Sequence, residues 1–419
     1  CWSIPVRQYI REENNILKVY FHSPVKIDVP KWDALPYQYP ASNDQSENGG
    51  LFNKKISIFA RKAGYHYGWD WGPRLVTSGI WRPVYIRAWS DLRINDVFIE
   101  QKEVGAGRAV IAGHVELDAD KDMNGVLVTI TDEVTGRVLG EWQADLKRGT
   151  NRVTVDFVLH KPKLWWSNGL GEPFLYRFRT DIIAGGELLD SKTERVGIRS
   201  LKVVHQPDKD GHTFYIELNG HPVFAKGANY IPSDNFLPRV TPENYKRTIL
   251  DAAGVNMNML RVWGGGIYEN DVFYDLCDEH GIMIWQDFMF ACSMYPAEGA
   301  LLDNIHQEAV DNVKRLRNHA CIALWCGNNE CQDAWLGWGW KREIERQNKE
   351  YADKIWAQYR QQYHVTLPGV VREYAPGTFY WPSSPFAFEG EMSGTTDGDR
   401  HYWSCLLYTS PSPRDKRQS

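Results

Sequence analysis

The chain of 419 residues lacks the features that mark several broad classes of protein. No apolar run reaches the roughly 18 residues that a membrane-spanning helix needs, so we predict no membrane partner. No block of basic residues stands out and the formal net charge is −5, which argues against a nucleic-acid partner. The G-x-G-x-x-G fingerprint of nucleotide-binding folds is also missing, because Gly264-Gly265-Gly266 has a different spacing.

Cysteine is scarce and scattered along the chain. The seven Cys residues are odd in number and show no paired CxxC spacing, which disfavours a disulfide framework or a zinc site. We therefore predict no metal and no other cofactor. No N-x-S/T sequence occurs, which disfavours a glycosylated secretory protein and favours a bacterial parent, in either the periplasm or the cytoplasm. The compartment and the oligomeric state stay open.

The two ends of the chain carry no targeting signal that can be read. Residues 1–10 (CWSIPVRQYI) do not begin with Met and do not resemble a signal peptide, so we expect the chain to start inside a longer protein. Residues 405–419 are rich in Ser, Pro and basic side chains and have no periodicity, as in a disordered tail. We favour a non-native origin for this tail.

Aromatic side chains are abundant, with 18 Trp, 21 Tyr and 16 Phe. One interpretation is that they fill large cores, since a chain of this length can form two or three domains. The other is an aromatic-lined cleft, because flat rings stack on the CH-rich faces of sugars much as they stack on bases.

Two patterns divide the chain near residue 204. Before it, short alternating segments separated by Gly and Pro predict β-sandwiches, with a break near residues 89–92. After it, apolar runs alternate with helical patterns, and this order predicts a parallel sheet covered by helices. The predicted strands of the first part are residues 15–25, 55–63, 81–90, 94–104, 125–136, 151–160 and 174–183. Those of the second part are 222–232, 257–263, 282–288 and 321–326, with helices at 241–254, 270–281 and 301–319.

Unusual polar and aromatic residues follow the apolar runs of the second part. The carboxyl ends of parallel strands are where a (β/α)8 barrel builds its active site. The residues at these ends are Asn229, Arg261, Trp263, Asp287, Asn329 and Glu330.

Glu330 is the leading catalytic candidate. A carboxylic acid beside Trp325 could be kept protonated by desolvation and could then protonate a glycosidic oxygen. The alternative is a Glu that caps the following helix. Asn329 could donate a hydrogen bond to a sugar hydroxyl, or it could simply form a turn.

Three further residues around the strand ends have two interpretations each. Arg261 could hold a neighbouring carboxylate ionised through a bidentate pair, or it could form a structural salt bridge with Asp287. Trp263 could be a platform for a sugar ring, or it could pack the glycine-rich turn that follows it. Trp338 belongs to a Trp cluster with glycines between its members, which favours a loop at the border of the cleft.

Residues 63–86 hold a second concentration of signals. Trp69, Asp70 and Trp71 lie between two glycines on an evident loop, and exposing two Trp side chains is unfavourable unless they pack on something. Either the loop reaches into the barrel mouth and binds substrate hydroxyls through Asp70, or it plugs a domain interface. His66 is predicted to be a hydrogen-bonded core histidine.

These motifs resemble those of the β-mannosidases of glycoside hydrolase family 2. The resemblance covers residues 1–403, and the β-galactosidases and β-glucuronidases of the wider family look less similar in these loops. The matching stretches are HYGWDWGPRLVTSGIWRPV (66–84), RVWGGGIYENDVFYDLCDEHGIMIWQDFMFACSMYP (261–296), HACIALWCGNNE (319–330), YWPSSP (380–385) and GDRHYW (398–403).

The resemblance implies a multidomain fold that combines β-sandwiches with an α/β domain. Residues 1–90 would be the C-terminal part of a galactose-binding-like jelly-roll β-sandwich. Residues 91–204 would be an immunoglobulin-like β-sandwich, and residues 205–404 the first six strands of an incomplete (β/α)8 TIM barrel. Residues 405–419 would be the non-native tail.

The resemblance also implies an activity, the retaining exo-hydrolysis of terminal β-D-mannose from β-mannoside oligosaccharides or glycan ends. Glu330 matches the general acid/base, and Asn329 matches the residue that contacts the region of the axial 2-hydroxyl. The other implied site residues are Trp263 as a sugar-binding aromatic, Trp69 and Asp70 as the loop that closes the pocket, Trp338 as a further aromatic, and Arg261 and Asp287 as supporting residues.

One catalytic element of the family has no match. Family members carry the nucleophilic Glu at the end of the seventh barrel strand, whereas here the pattern stops at Trp403. Glu389 and Glu391 lie in a loop before the predicted sixth strand, so neither is assigned as the nucleophile. We therefore expect this chain by itself to be inactive. The alternatives are another β-glycosidase of the same family or a non-catalytic carbohydrate-binding fragment.

Overall fold

The computed structural model describes residues 3–403, and the predicted tail at 405–419 lies outside them. In this part of the chain, none of the helices combines the length and the apolar character needed to cross a membrane.

Residues 3–91 contain one α-helix and no strand. Helix α1 (Pro24–Ala34) begins after Ser23, whose side chain accepts a hydrogen bond from the Lys26 N–H at 3.4 Å. Three short 3-10 turns follow, at Ser46–Gly49, Ser57–Phe59 and Gly64–Tyr67. The strands predicted at 15–25, 55–63 and 81–90 are therefore wrong. The apolar side chains of 15–25 and 81–90, such as Leu17 and Tyr85, are largely exposed, whereas Ile56 and Ile58 are buried without forming a strand. A strand without a paired neighbour is not stable.

Residues 92–196 form two antiparallel sheets that pack face to face. The predicted strands at 94–104, 125–136, 151–160 and 174–183 are confirmed, two more strands lie between them, and a third follows the last one. One sheet has the order β1-β2-β5 and the other β4-β3-β6-β7. The strands are β1 (Leu92–Val104), β2 (Arg108–Ala119), β3 (Met123–Asp132), β4 (Arg137–Leu146), β5 (Gly149–His160), β6 (Tyr176–Ala184) and β7 (Glu187–Val196).

Alternating side chains of the two sheets fill the core of this sandwich. In β5, Val153, Val155, Phe157 and Leu159 are buried while the residues between them are mostly exposed. This period of two places one apolar face on the opposite sheet. The two-sheet arrangement agrees with the predicted immunoglobulin-like β-sandwich, while the exact domain boundaries stay predictions.

A small antiparallel sheet connects the sandwich to the last part of the chain. It consists of β8 (Leu201–Val204), β9 (Tyr215–Leu218) and β10 (His221–Val223).

Five parallel strands form the sheet of the last part, in the order β11-β12-β13-β14-β15. They are β11 (Gly227–Tyr230), β12 (Met259–Val262), β13 (Met283–Asp287), β14 (Ile322–Cys326) and β15 (Phe379–Trp381). Every residue of β14 is buried, as expected for a parallel strand that is covered on both faces.

Helices connect these strands and confirm the predicted alternation. They are α2 (Pro242–Gly254), α3 (Asp271–His280), α4 (Gly299–Leu316), α5 (Cys331–Gly337), α6 (Trp340–Gln347), α7 (Lys349–Arg360) and α8 (Leu367–Tyr374), with a π-helical segment at Gln361–Thr366.

The predicted count of six parallel strands is wrong for the described residues, which contain five. Residues 398–403 do not pair as a sixth strand. They fold back over the ends of β14 and β15, where Asp399 accepts hydrogen bonds from Trp381 Nε1 at 2.7 Å and Ser384 Oγ at 2.6 Å. These side-chain bonds, together with a single backbone bridge between Asp399 and Phe386, hold the segment at the sheet edge.

Candidate active site

A rigid loop after β14 positions Glu330. The side chain of Asn328 donates to Pro382 O at 3.0 Å and accepts from Cys331 N at 2.9 Å and Ser383 Oγ at 2.7 Å. Glu330 itself lies in the left-handed region with φ of 62°, and its N–H donates to Ser384 O at 2.8 Å. The backbone on both sides of the carboxylate is therefore fixed.

The Glu330 side chain does not cap the helix that follows. Glu330 occupies the N-cap position of α5, but its carboxylate makes no capping hydrogen bond there. Instead Oε1 accepts from His401 Nδ1 at 2.7 Å, and Oε2 accepts from the Cys292 thiol at 3.3 Å. Only 15% of the side chain is exposed. The capping alternative is thus replaced by a carboxylate held at both oxygens.

The expected protonation of Glu330 by desolvation is wrong for this structure. Burial raises the pKa of the carboxyl, but the hydrogen bond from His401, the charge of its ring when protonated, the Cys292 thiol and Arg261 together lower the pKa below its ordinary value. The polar donors therefore decide the direction of the shift, and the predicted neighbour Trp325 stacks on Phe288 with ring centroids 5.0 Å apart.

His401 was not singled out from the sequence, where it appears only inside the GDRHYW stretch. Its Nε2 lies 3.2 Å from Arg261 Nη1 and 3.1 Å from Ser384 Oγ. A guanidinium can only donate, so Nε2 accepts and the ring proton is on Nδ1. His401 therefore donates its Nδ1 proton to the Glu330 carboxylate.

Arg261 connects the predicted residues of three strands. Its Nε and Nη2 donate to the two oxygens of Asp287 at 3.2 and 2.8 Å, which is the predicted salt bridge. Nη2 also donates to Asn329 Oδ1 at 3.1 Å, so the same guanidinium orients the amide beside Glu330. Asp287 is fully buried and accepts two more bonds, from Gly264 N at 2.9 Å and Trp285 Nε1 at 3.0 Å. Asp287, which accepts four hydrogen bonds in total, thus fixes the position of the Arg261 guanidinium.

Cys292 is a second residue that sequence reasoning missed. Its Sγ accepts from Asn329 Nδ2 at 3.3 Å while donating to Glu330, so it joins the two neighbours. The backbone of Cys292 is held in turn by Ser42, whose N–H donates to Cys292 O at 3.0 Å. The first part of the chain thus touches the loop after β13, whose Cys292 contacts the candidate acid. Only the position of Cys292 shortly after a strand-end Asp could have marked it in the sequence.

The loop at residues 68–72 packs on the parallel sheet domain. Trp69 meets Trp263 edge to face with ring centroids 4.6 Å apart, and Trp71 contacts the same ring at 5.9 Å. The Tyr65 N–H donates to Gly265 O at 3.0 Å across the same junction. Asp70 is exposed at the tip and accepts no hydrogen bond from the described residues. The structure supports the interdomain contact and leaves Asp70 available to a ligand.

Trp338 is not brought together with these residues. It follows the last residue of α5, eight positions beyond Glu330, and a helix rises about 12 Å over that length. Its side chain is half exposed, and its ring meets that of Trp340 with centroids 5.4 Å apart.

A group of potential metal ligands lies at the opposite ends of the strands. Ligand atoms of Asp278, His319 and Cys321 are within 4.8 Å of one another. Asp278, however, accepts from His319 Nδ1 at 2.7 Å and from Cys321 N at 2.8 Å, and burial raises the pKa of the Cys321 thiol well above its usual range. We assign this group a structural role.

Comparison with known proteins places these features in one family. Residues 1–82 match the glycosyl hydrolase 2 galactose-binding domain-like family, and residues 92–199 match glycosyl hydrolases family 2. Beta-mannosidase B of Aspergillus fumigatus is 38% identical over 367 residues, which are 86% of this chain and 43% of that protein. Beta-mannosidase B of Aspergillus niger is 38% identical over 363 residues with the same two shares. The chain thus spans less than half the length of these relatives.

Solved structures agree with this placement. Beta-D-mannosidase from Dictyoglomus thermophilum superposes with a TM-score of 0.79 and 37% identity, covering 93% of this chain and 45% of that one. A β-glucuronidase from Bacteroides uniformis has a TM-score of 0.57 and 21% identity, covering 70% of this chain and 34% of its own, which is a likeness of fold alone.

Proposed function

Because the chain belongs to glycosyl hydrolase family 2, we propose that the protein is a retaining exo-β-mannosidase that releases terminal β-D-mannose from β-mannosides. The names of the curated relatives and of the Dictyoglomus structure support this substrate. The observation that carries the proposal is the mostly buried carboxylate of Glu330 at the end of a parallel strand, held by His401 and Cys292 beside Asn329.

Glu330 is the general acid/base in this proposal. It would protonate the leaving oxygen and then deprotonate the attacking water. Its pKa is lowered while His401 and Cys292 are its neighbours. A second carboxylate at the 5–5.5 Å spacing of retaining enzymes would raise the pKa and favour the acid form. Once that carboxylate is bound to the sugar its charge is lost, so the pKa of Glu330 falls and the residue becomes a base.

We assign none of the carboxylates near the ends of the parallel strands as the nucleophile. Asp287 is saturated by Arg261 and its other donors, and Asp399 is engaged by Trp381 and Ser384. Glu389 pairs with Arg360 on the surface, and Glu391 is exposed. We therefore propose that the 419-residue chain does not complete the covalent step.

Substrate binding is assigned to the mouth formed by the strand ends and the loop at 68–72. Asn329, fixed by Arg261 and Cys292, would contact the hydroxyl at C2 of mannose. Trp263 and Trp69 would form the aromatic wall, and Asp70 would bind hydroxyls at the non-reducing end. Trp338 would contact only a more distant part of the substrate. In this proposal the loop at 68–72 would close one side of the mouth around a single terminal sugar, as exo-action requires.

Activity on aryl β-D-glycosides tests the proposal. We expect the full-length protein to hydrolyse β-mannosides in preference to β-galactosides and β-glucuronides, and we expect no turnover by the 419-residue chain. A preference for another sugar would contradict the assignment of β-mannosides as the substrate. Turnover by the 419-residue chain would contradict the inference that this chain lacks the nucleophile.

The role of Glu330 is tested by Glu330→Gln in the full-length protein. We expect kcat/KM to fall by roughly 100- to 10,000-fold on a mannoside with a poor leaving group, the usual contribution of general acid catalysis. The loss should be much smaller for an activated aryl mannoside, whose departure needs no proton. Glu389→Gln, which removes an exposed carboxylate, is the matched control. Equal losses for both leaving groups would contradict the assignment.

A further inference from the structure

A cavity of about 380 Å³ lies between the β-sandwich and the parallel sheet domain. Its walls come from β1, from the connection at residues 199–202, and from the segments 317–320 and 375–378 that precede β14 and β15. These segments lie at the amino ends of the strands, whereas Glu330 follows the carboxyl end of β14. The cavity is therefore distinct from the candidate active site, and its volume is within the usual range for small-molecule sites, about 300–1,000 Å³.

The charge of the cavity wall is of one sign. Among the described residues that line it, none is Asp or Glu. The basic residues of the wall are Lys102, Arg199, Lys202, Arg317 and His319. The chain as a whole has a formal net charge of −5, so this concentration of basic side chains is opposite to the overall balance. Such a wall attracts anions.

Acids behind the wall compensate these charges unequally. Arg317 is paired with Asp96, and His319 Nδ1 with Asp278 Oδ2 at 2.7 Å. Lys102 and Lys202 are only loosely paired, with Asp156 at 3.5 Å and Glu217 at 3.7 Å. Such long pairs at partly exposed positions contribute little and leave the ammonium groups able to bind another anion.

Arg199 has no carboxylate partner among the described residues. Its Nε donates to Ala320 O and its Nη2 to Ile322 O, both at 2.7 Å. Burial lowers the pKa of Arg199 to about 10, so the guanidinium is still charged at neutral pH. A partly buried guanidinium that is fixed by two carbonyls and forms no ion pair within residues 3–403 can accept an anion as its partner.

We propose that this cavity binds a small phosphorylated molecule, with the phosphoryl group held by Arg199, Lys102 and Lys202. A guanidinium presents donors in the geometry that phosphate oxygens accept, and two ammonium groups complete the charge of a dianion. His319 keeps a proton on Nδ1 for Asp278, so its Nε2 donates only when the ring is doubly protonated. Burial opposes that form, but the neighbouring Asp278 favours it and raises the pKa of His319. The remaining volume fits a group of about the size of a sugar. This site is independent of the proposed hydrolase activity.

Titration calorimetry on the 419-residue chain at low ionic strength tests the site. The probes are inorganic phosphate, glucose 6-phosphate and glucose. We expect saturable binding of one equivalent of each phosphate-bearing probe, much weaker binding of glucose, and an affinity that falls as salt is added. Tighter binding of the ester than of inorganic phosphate would identify a phosphoester as the ligand. No saturable binding of either phosphate-bearing probe would overturn the proposal.

Charge variants locate the site. We expect Lys102→Gln combined with Lys202→Gln to weaken phosphate binding by about tenfold or more, since hydrogen bonds to charged groups are strong. Lys209→Gln removes an exposed lysine outside the cavity and should leave the affinity unchanged. As a second measurement, phosphate should raise the Tm of the unmodified chain and of Lys209→Gln but not of the double variant. Equal affinity in the double variant would overturn the assignment.

Discussion

At the scale of single residues, the protonation of Glu330 depends on the donor at His401. The carboxylate accepts from Nδ1 at 2.7 Å, and this bond stabilises the anion and lowers the pKa. We predict that His401→Ala raises the pKa of Glu330. Burial favours the neutral acid, and the variant lacks the hydrogen bond that stabilises the carboxylate. The measurement is a titration of the 13C-labelled Glu330 carboxyl by NMR, assigned by its loss in Glu330→Gln.

A conservative variant separates this effect from a general structural change. His401→Asn keeps a side-chain donor and should bring the Glu330 pKa part of the way back. A Glu330 pKa that stays the same in His401→Ala would show that the hydrogen bond does not set the protonation state.

A second prediction at this scale concerns the contribution of His66 to the pH dependence of stability. Burial, together with the charge of Lys62, lowers the pKa of His66 from 6.5 to about 4, although its bond with Asn235 O acts in the other direction. Since the unfolded chain binds the proton more readily, stability is complete above pH 6.5 and falls as the pH decreases towards 4. The full difference corresponds to about 3 kcal/mol.

Thermal unfolding between pH 7 and pH 4 measures this effect. We expect His66→Gln to lower the Tm at pH 7 but to show a weaker decrease with acidification than the unmodified chain. His160→Gln changes an exposed histidine at the end of β5 and should keep the original pH dependence. The same pH dependence in all three proteins would contradict the role of His66.

Part of the site could be predicted residue by residue. Chain order alone places four site residues at one edge of the sheet, because they lie at or just after the carboxyl ends of neighbouring parallel strands. These residues are Arg261, Asp287, Asn329 and Glu330. His401 comes from a segment that folds back over the sheet, which no local pattern encodes. The direction of the Glu330 pKa could not be predicted for the same reason, because it depends on this distant donor.

At the scale of elements, local signals decided which predictions were right. Helix α2 carries Thr241 at its N-cap and Pro242 at its first position, and the structure has both. The segments at 15–25, 55–63 and 81–90 have strand-like alternation but no neighbouring strand among the described residues. A strand is stable only in a sheet, so its formation cannot be inferred from its own sequence.

The cap of α2 provides an element-scale prediction. Thr241 Oγ1 accepts from Asn244 N at 3.3 Å, and Asn244 Oδ1 accepts from Thr241 N at 2.9 Å. We expect Thr241→Ala to destabilise the parallel sheet domain by about 1 kcal/mol, the typical value of a lost N-cap. The urea midpoint measures this change, with Thr395→Ala in an exposed loop as the control. An unchanged midpoint would mean that the helix end is held by other contacts.

At the scale of the whole molecule, the candidate site depends on contact between distant parts of the chain. The loop at 68–72 packs on Trp263, and Ser42 holds the backbone of Cys292. The sequence left open whether this loop reaches the barrel mouth or fills an interface. In the structure the loop contacts the strand-end Trp263. This contact depends on the fit between two distant segments, so it cannot be inferred from the sequence of either segment.

The contact between Trp69 and Trp263 therefore leads to a prediction about local opening. The Tyr65 N–H donates to Gly265 O across the junction at 3.0 Å, so its exchange with solvent reports whether the loop is docked. Trp69→Ala removes an edge-to-face pair, worth about 0.5–1.5 kcal/mol beyond its buried area. We expect hydrogen exchange at Tyr65 to become at least about threefold faster, because 1.4 kcal/mol changes an opening equilibrium tenfold. Trp338→Ala, which removes a half-exposed Trp outside the junction, should not change it. Unchanged exchange at Tyr65 in Trp69→Ala would mean that Trp71 and the backbone bond hold the loop by themselves.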